Sequence, residues 1–138
     1  MAEFEIKGVG YRSGKMPGRT QVHVLRRATP IIQPLFASLA SGLTPAVAGQ
    51  VIEGLGALDD DKLDYILDAA LAVVQRKESG GWAPIMSSSG SRLMFQDIDT
   101  DAGLQLAIAT QVLYDNYMPL FRDAPSLFSG GALPPLST

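Results

Sequence analysis

The feature that most constrains the fold is an apolar stripe within residues 62–78. Apolar residues recur there at every third or fourth position: Leu63, Ile66, Leu67, Ala70, Leu71 and Val74. This period predicts an amphipathic α-helix that packs one face on a core. Three aspartates at 59–61 precede the stripe, and Arg76 and Lys77 close it. These charges suit the positive and negative ends of a helix, so a helix to about residue 78 is predicted.

Similar patterns predict further helices on both sides of this stripe. Val22, Leu25, Ala28 and Ile32 recur at helical spacing from Gly18 onwards. Prolines at 30 and 34 then predict a break near residue 29, because proline removes a hydrogen-bond donor and clashes with the preceding turn. The next piece is expected to end at Gly42, and Thr44-Pro45 is a typical start for a helix over 45–57. A last helix, apolar almost all round and therefore central, is predicted over about 100–121.

The N-terminal stretch "EFEIKGVGYRSGK" alternates apolar and charged residues around two glycines, which predicts a β-hairpin over about 3–16. A two-stranded hairpin is marginal alone and must pack on a helix. Residues 79–92 are rich in glycine and serine and are predicted to form a loop, followed by a short strand or extended lead-in at "RLMFQDI". The predicted fold is mostly α: a small single domain over 1–123, with the hairpin packed on a helical bundle, and a mobile tail over 124–138.

Composition excludes several functional classes. The chain has 138 residues, 46% of them hydrophobic, and no cysteine, so disulfides and thiolate metal sites are excluded. The sequence contains neither an apolar run of the roughly 18 residues needed to span a membrane nor a signal-peptide pattern at its N-terminus. A cytoplasmic protein without membrane contact is expected.

Charge is unevenly distributed along the chain. The net charge is −3, yet residues 1–27 carry six basic residues against two acidic ones, a net charge of +4. The basic residues are Lys7, Arg12, Lys15, Arg19, Arg26 and Arg27. Such asymmetry is typical of an electrostatic docking face, although a solvated helix face is the equally weighted alternative. Nucleic acid is not an expected partner, since the whole chain is acidic and its basic part lacks interleaved aromatics.

Three short motifs resemble catalytic or metal sites but fail in detail. "GVGYRSGKM" lacks the glycine and the Ser or Thr that a phosphate loop requires. "DIDTDAG" has the aspartate spacing of a calcium loop, but Ala102 and Ile108 replace its glycine and glutamate; a helix N-terminus is the better interpretation. The single histidine, His23, is expected to be packed among apolar residues. We therefore expect no enzyme activity, cofactor or metal.

Trp82 is the only tryptophan and follows Gly80-Gly81 directly. The favoured interpretation is a core plug, in which the glycines reverse the chain and Trp82 covers the end of the 62–78 helix. The alternative is that Trp82 lines a groove for a partner, because tryptophan is enriched among interface anchors.

The order of these motifs resembles the tail assembly chaperones of long-tailed bacteriophages. The similar pieces are "FEIKGVGYRSGK", "QVHVLRRATPII", "LDYILDAALAVVQRKESGGWAPI" and "LMFQDID" followed by an apolar helix, and they span about residues 3–121. The resemblance implies a protein that binds and solubilises the tape measure protein, helps tail tube protein assemble around it, and is absent from the mature virion. It would act in the host cell cytoplasm.

The resemblance leaves the binding face and the assembly state open. Arg19, Arg26, Arg27 and Trp82 are the candidate partner-binding residues, on an apolar groove with a basic rim. Self-association into a homo-oligomer is a further option. Two other functional classes stay open: a structural tail protein such as a tail completion subunit, and an unrelated small-ligand-binding domain.

Overall fold

The computed structural model describes residues 2–41, 44–88 and 92–128. Along these residues the elements are β1 (Ala2–Ile6), β2 (Val9–Ser13), α1 (Gly18–Arg27), α2 (Thr29–Ser41), α3 (Pro45–Gly56), α4 (Asp60–Leu71), β3 (Val74–Glu78), β4 (Gly81–Pro84), α5 (Gln96–Asp99) and α6 (Ala102–Phe128). The helical content agrees with the predicted mostly α fold. Gly42 and residues 129–138 of the predicted tail lie outside the described residues.

The predicted hairpin is present, but it is half of a larger sheet. Strands β1 and β2 pair antiparallel, and the two-residue turn between them has positive φ at Lys7 (53°) and Gly8 (78°), as a type I′ turn requires. Two further strands extend the sheet in the order β1-β2-β3-β4. The expectation of a hairpin on a helical bundle is therefore corrected to helices on a four-stranded antiparallel sheet.

The extra strands replace the end of one predicted helix and part of a predicted loop. Helix α4 ends at Leu71, and residues 74–78 form β3, which pairs with both β2 and β4. Val74 is buried in the sheet, so the apolar stripe that seemed to extend the helix ends in a strand. Consecutive β-branched residues, Val73 and Val74, favour a strand once β2 offers a partner. A tight turn at 79–80, with Gly81 at φ 128°, then reverses the chain into β4.

Two predicted helix starts are confirmed. The Thr44 hydroxyl accepts a hydrogen bond from the Val47 N–H at 3.2 Å, with Pro45 in the first turn. The Asp59 carboxylate accepts from the Lys62 N–H at 2.8 Å and begins α4. These are N-caps, in which a side chain satisfies a main-chain donor that the helix leaves unpaired.

The predicted break near residue 29 is also confirmed, since α1 ends at Arg27 and α2 begins at Thr29. Pro34 lies inside α2 rather than ending it. Helix α3 packs closely on α2 through Gly54. A Cβ atom at position 54 would lie 2.9 Å from Cγ2 of Ile31 and closer still to the Pro30 carbonyl oxygen. Only glycine permits this approach of the two helices.

Two apolar clusters form the core, and α4 and α6 contribute to both. The first joins one face of the sheet to α4, α5 and the start of α6 through Tyr11, Ala70, Leu71, Val74, Ile85, Ile98, Leu104, Ile108 and Val112. The second joins α1 and α2 to α4 and the middle of α6 through Val24, Ala28, Ile31, Leu35, Ile66, Leu113 and Tyr117. The central position predicted for the last helix is thus confirmed. This helix continues to Phe128, seven residues beyond its predicted end.

Candidate functional site

The outward face of α1 is basic and apolar. Arg19, Val22, His23 and Arg26 fall at positions i, i+3, i+4 and i+7, which places them within about 100° of one another around the helix. Arg19 and Arg26 are exposed, and Val22 is 66% exposed. A cleft of about 580 Å³ beside them is lined by Gly18, Arg19, Val22 and His23. Helix α1 contains no acidic residue, so this face, called the α1 surface below, offers an apolar group between two cations.

This surface corrects two sequence expectations. Val22 belongs to the predicted apolar stripe of its helix but is exposed, whereas Ala28 of the same stripe is buried together with Val24, which lies outside the predicted stripe. His23, which we expect from the sequence to be packed among apolar residues, is half-buried and lines the cleft beside Val22. The i, i+3, i+4, i+7 spacing of these residues with the arginines was the available sequence signal for their exposure.

Polar contacts, one buried and two partly buried, hold α1 and the residue Met16 before it against α6. The Tyr117 hydroxyl donates to the Gln21 carbonyl oxygen at 2.5 Å, and the Gln21 amide donates to the Met16 carbonyl oxygen at 2.6 Å. The Asn116 side-chain oxygen accepts from the Met16 N–H at 2.9 Å. Burial raises the pKa of Tyr117, so its hydroxyl stays protonated and able to donate. The α1 surface is therefore presented by a fixed helix.

A second cleft, of about 560 Å³, begins at the C-terminal end of α1. Arg26, Arg27, Pro30, Leu58 and Tyr65 line it together with Thr29, Ala57, Asp59, Asp61 and Lys62. The Arg27 guanidinium lies 4.2 Å from the centre of the Tyr65 ring, a cation–π contact. The rim of this cleft is mixed in charge, because Asp59 and Asp61 line it as well as the arginines. The wholly basic rim predicted for the groove is not found here.

Two other basic residues of the N-terminal segment, Lys7 and Arg12, make contacts within the fold. Lys7 forms an ion pair with Asp101 at 2.8 Å, and Arg12 lies over the Trp82 ring at 4.6 Å. The Arg12 Nε also donates to the Gln75 side-chain oxygen at 2.5 Å. Among the described residues, Arg19 and Arg26 take part in neither ion pairs nor ring contacts. These two remain available to a partner.

Trp82 is not a core plug. It lies on β4 opposite Lys77, is half-buried and belongs to neither apolar cluster. Its strand continues the sheet instead of folding back over a helix end, so its side chain falls on the face away from the helices, with Arg12. The structure thus separates the four predicted partner-binding residues. Arg19, Arg26 and Arg27 share α1, whereas Trp82 lies on the sheet.

The motif that resembled a calcium loop ties the sheet to α6. Arg76 binds both carboxylate oxygens of Asp97 at 2.8 and 2.9 Å and lies over the Phe95 ring at 4.6 Å. Asp101 pairs with Lys7 and accepts from the Leu104 N–H at 3.1 Å, which caps α6. Hydrogen bonds from Arg76 and Lys7 lower the pKa of Asp97 and Asp101, respectively. Across the described ranges, no three acidic or histidine side chains come together as metal ligands.

The glycines of "GVGYRSGKM" serve the hairpin. Gly8 occupies its turn, and Gly10 lies on β2 against the side chain of Lys77. The described helices also include none with the combined length and apolar character of a bilayer span.

Comparison with known proteins places the chain in a family. No curated protein and no solved structure matches it significantly. The family model described as phage tail assembly chaperone protein, TAC, matches residues 7–129, which runs from the first hairpin turn to the end of α6. Since this match covers nearly all of the 138 residues, the chain belongs to the phage tail assembly chaperone family.

Proposed function

We propose that this protein binds the tape measure protein of its phage and keeps it soluble until the tail tube encloses it. Family membership supports the general role in tail assembly. The observation that carries the specific role is the α1 surface, where Val22 is 66% exposed between Arg19 and Arg26. An apolar group framed by charges is the pattern by which proteins hold amphipathic helices.

The properties of the tape measure protein, the proposed partner, explain why such a surface is needed. A long helical protein that will be buried inside a tube carries apolar stripes that are exposed before assembly, and exposed apolar stripes promote aggregation. A chaperone covers such a stripe reversibly. Exposed charge pairs favour this reversibility, because they speed association and contribute little net affinity.

The remaining features of the proposal follow from the same role. The protein acts in the host cell cytoplasm, assists the assembly of tail tube protein, and is absent from the mature virion. It does so by binding and without catalysis. Arg27 has a smaller part in binding than Arg26, because its guanidinium is already stacked on Tyr65. Trp82 lies on another surface and is not required for the tape measure contact.

Co-expression with the tape measure protein tests the proposal. We expect the tape measure protein to be soluble with the wild-type chaperone and to pellet without it. The double variant Arg19→Glu/Arg26→Glu should lose much of this effect while it remains folded, because both side chains are exposed. Lys77→Glu is the control for position, since it reverses one exposed charge on the sheet, away from α1. Equal solubility with and without the chaperone would refute the proposal.

A structural tail protein is the main competing function, and the content of purified particles separates the two. A tail completion subunit stays in the particle in stoichiometric amount, whereas a chaperone is released. Mass spectrometry of purified virions that finds this chain at tail-protein levels would replace the chaperone role with the structural one.

A further inference from the structure

We propose that the α1 surface recognises one class of segment in its partner protein: a helix in which two acidic residues seven positions apart flank an apolar residue. This inference rests on the proposed function and names the chemistry of the partner. It derives from the spacing of exposed groups on α1. Arg19 and Arg26 are exposed and seven residues apart, and Val22 is exposed between them.

The spacing sets the geometry of the partner. Seven residues rise about 10.5 Å along a helix and complete nearly two turns. The two arginines therefore lie almost in line along α1, about 10.5 Å apart at their backbones. A second helix with acidic residues seven apart matches this spacing, and an apolar residue three or four positions after the first acid falls opposite Val22. The result is a short seam of the type found between paired helices, with apolar contact in the middle and charge pairs beside it.

The length of α1 limits how such a helix can lie. Ten residues give α1 a length of about 15 Å, so only a partner that crosses at a shallow angle contacts both arginines. A steep crossing would contact Val22 and one arginine alone. The 3-4 type of helix packing supplies a suitable angle of about 20°.

Charge complementarity selects an acidic segment over a basic or neutral one. Helix α1 has no acidic residue, and Arg19 and Arg26 form no ion pair among the described residues. Because Tyr117 of α6 bonds the main chain of α1 at Gln21 and Asn116 bonds the residues just before α1, the helix backbone presents this spacing before a partner arrives. A partner of the stated pattern then binds with little rearrangement.

Two synthetic helical peptides of identical composition test this rule against the full-length chain. In the first, two glutamates seven apart flank a leucine on one face. In the second, both glutamates lie on the opposite face. Chemical-shift changes of ¹⁵N-labelled amides, followed at low salt to about 1 mM peptide, give the affinity and the site. We expect the first peptide to bind about tenfold more tightly than the second and to shift α1 amides.

A charge exchange makes the test specific. The chain with Arg19→Glu/Arg26→Glu should lose binding to the first peptide and should bind a version in which both glutamates are lysines. Lys77→Glu should leave all affinities unchanged. Equal binding of the two glutamate peptides, shifts confined to the sheet, or no binding at about 1 mM would overturn the spacing rule.

The outcomes separate this rule from the proposed function. If the co-expression assay succeeds and the peptides show no preference, the spacing rule is wrong and the chaperone function stands. If the peptides behave as expected and the tape measure protein is equally soluble without the chaperone, the function is wrong and α1 serves a different acidic helix.

Discussion

The contact between α2 and α3 makes a sharp prediction at Gly54. Replacing Gly54 with alanine adds a Cβ atom that would lie 2.9 Å from Cγ2 of Ile31 and even closer to the Pro30 carbonyl oxygen. A side-chain methyl group can rotate away, but a helix carbonyl cannot move without displacing the backbone. The two helices must therefore separate.

Two opposing effects set the magnitude. Alanine is favoured over glycine in a helix interior by about 1 kcal/mol. Forcing an extra carbon into a packed contact costs about 1–3 kcal/mol, and the high end applies because one neighbour is backbone. We expect a net loss of about 1–2 kcal/mol in the free energy of unfolding. Gly49 on the same helix is the matched control, since a Cβ atom there meets nothing within 4 Å. Gly49→Ala should gain about 0.5–1 kcal/mol.

Urea unfolding monitored by circular dichroism measures both changes. The free energies of unfolding of the two variants should lie on opposite sides of the wild-type value and differ from each other by about 1.5–3 kcal/mol, with unchanged m-values. If Gly54→Ala proves as stable as Gly49→Ala, α3 does not pack on α2 at this point, and the close approach at Pro30 is wrong.

Three further substitutions test other parts of the structure. Ser13→Ala should be neutral or stabilising by about 1 kcal/mol, because the buried Ser13 hydroxyl has no hydrogen-bond partner; a clear loss in urea unfolding would show that the hydroxyl is bonded. Trp82→Ala should cost about 1–2 kcal/mol, from the cation–π contact with Arg12 and the covered part of a half-buried ring, whereas a loss of about 3–5 kcal/mol would restore the core plug. Arg76→Met should lessen the acid sensitivity of folding. The hydrogen bond from Arg76 lowers the folded-state pKa of Asp97. The ionised Asp97 therefore stabilises the fold above its unfolded-state pKa of about 3.9, and this stabilisation is lost as pH falls through the folded-state pKa. The stability difference between the wild type and Arg76→Met should therefore narrow below about pH 4, and a difference independent of pH would contradict this linkage.

Local chemistry determined much of the fold from the sequence alone. The caps at Thr44 and Asp59, the break before Thr29 and the hairpin turn at Gly8 all depend on residues close in sequence. A capping side chain or a proline acts on its own turn of the helix, whatever surrounds it. The family resemblance likewise depends on motif order, which the sequence contains in full.

The site was only partly predictable from the sequence. Spacing indicated a basic helix with Arg19, Arg26 and Arg27 on it, but it did not show which arginine stays available. Arg27 is stacked on Tyr65, a residue of α4, and no local pattern reports such a contact. The spacing of Val22 with Arg19 and Arg26 is a sequence signal for its exposure, but the side of α1 that is buried is decided by where α4 and α6 lie.

Tertiary structure alone decided whether residues 74–84 form a helix end followed by a loop, as predicted, or two strands. Val74 suits both, since a residue on the apolar side of a helix and a residue on the inner face of a strand are equally buried. The choice was made by β2, which pairs with residues 74–76 from more than sixty positions away. Because β3 pairs with β2, the residues after its turn pair with β3 as strand β4, and Trp82 lies on that strand and not in the core. Hydrogen-bond partners that are so distant in sequence produce no periodic pattern near the residues they bind. The sequence therefore determined the local elements, whereas the position of Trp82 depends on the assembled sheet.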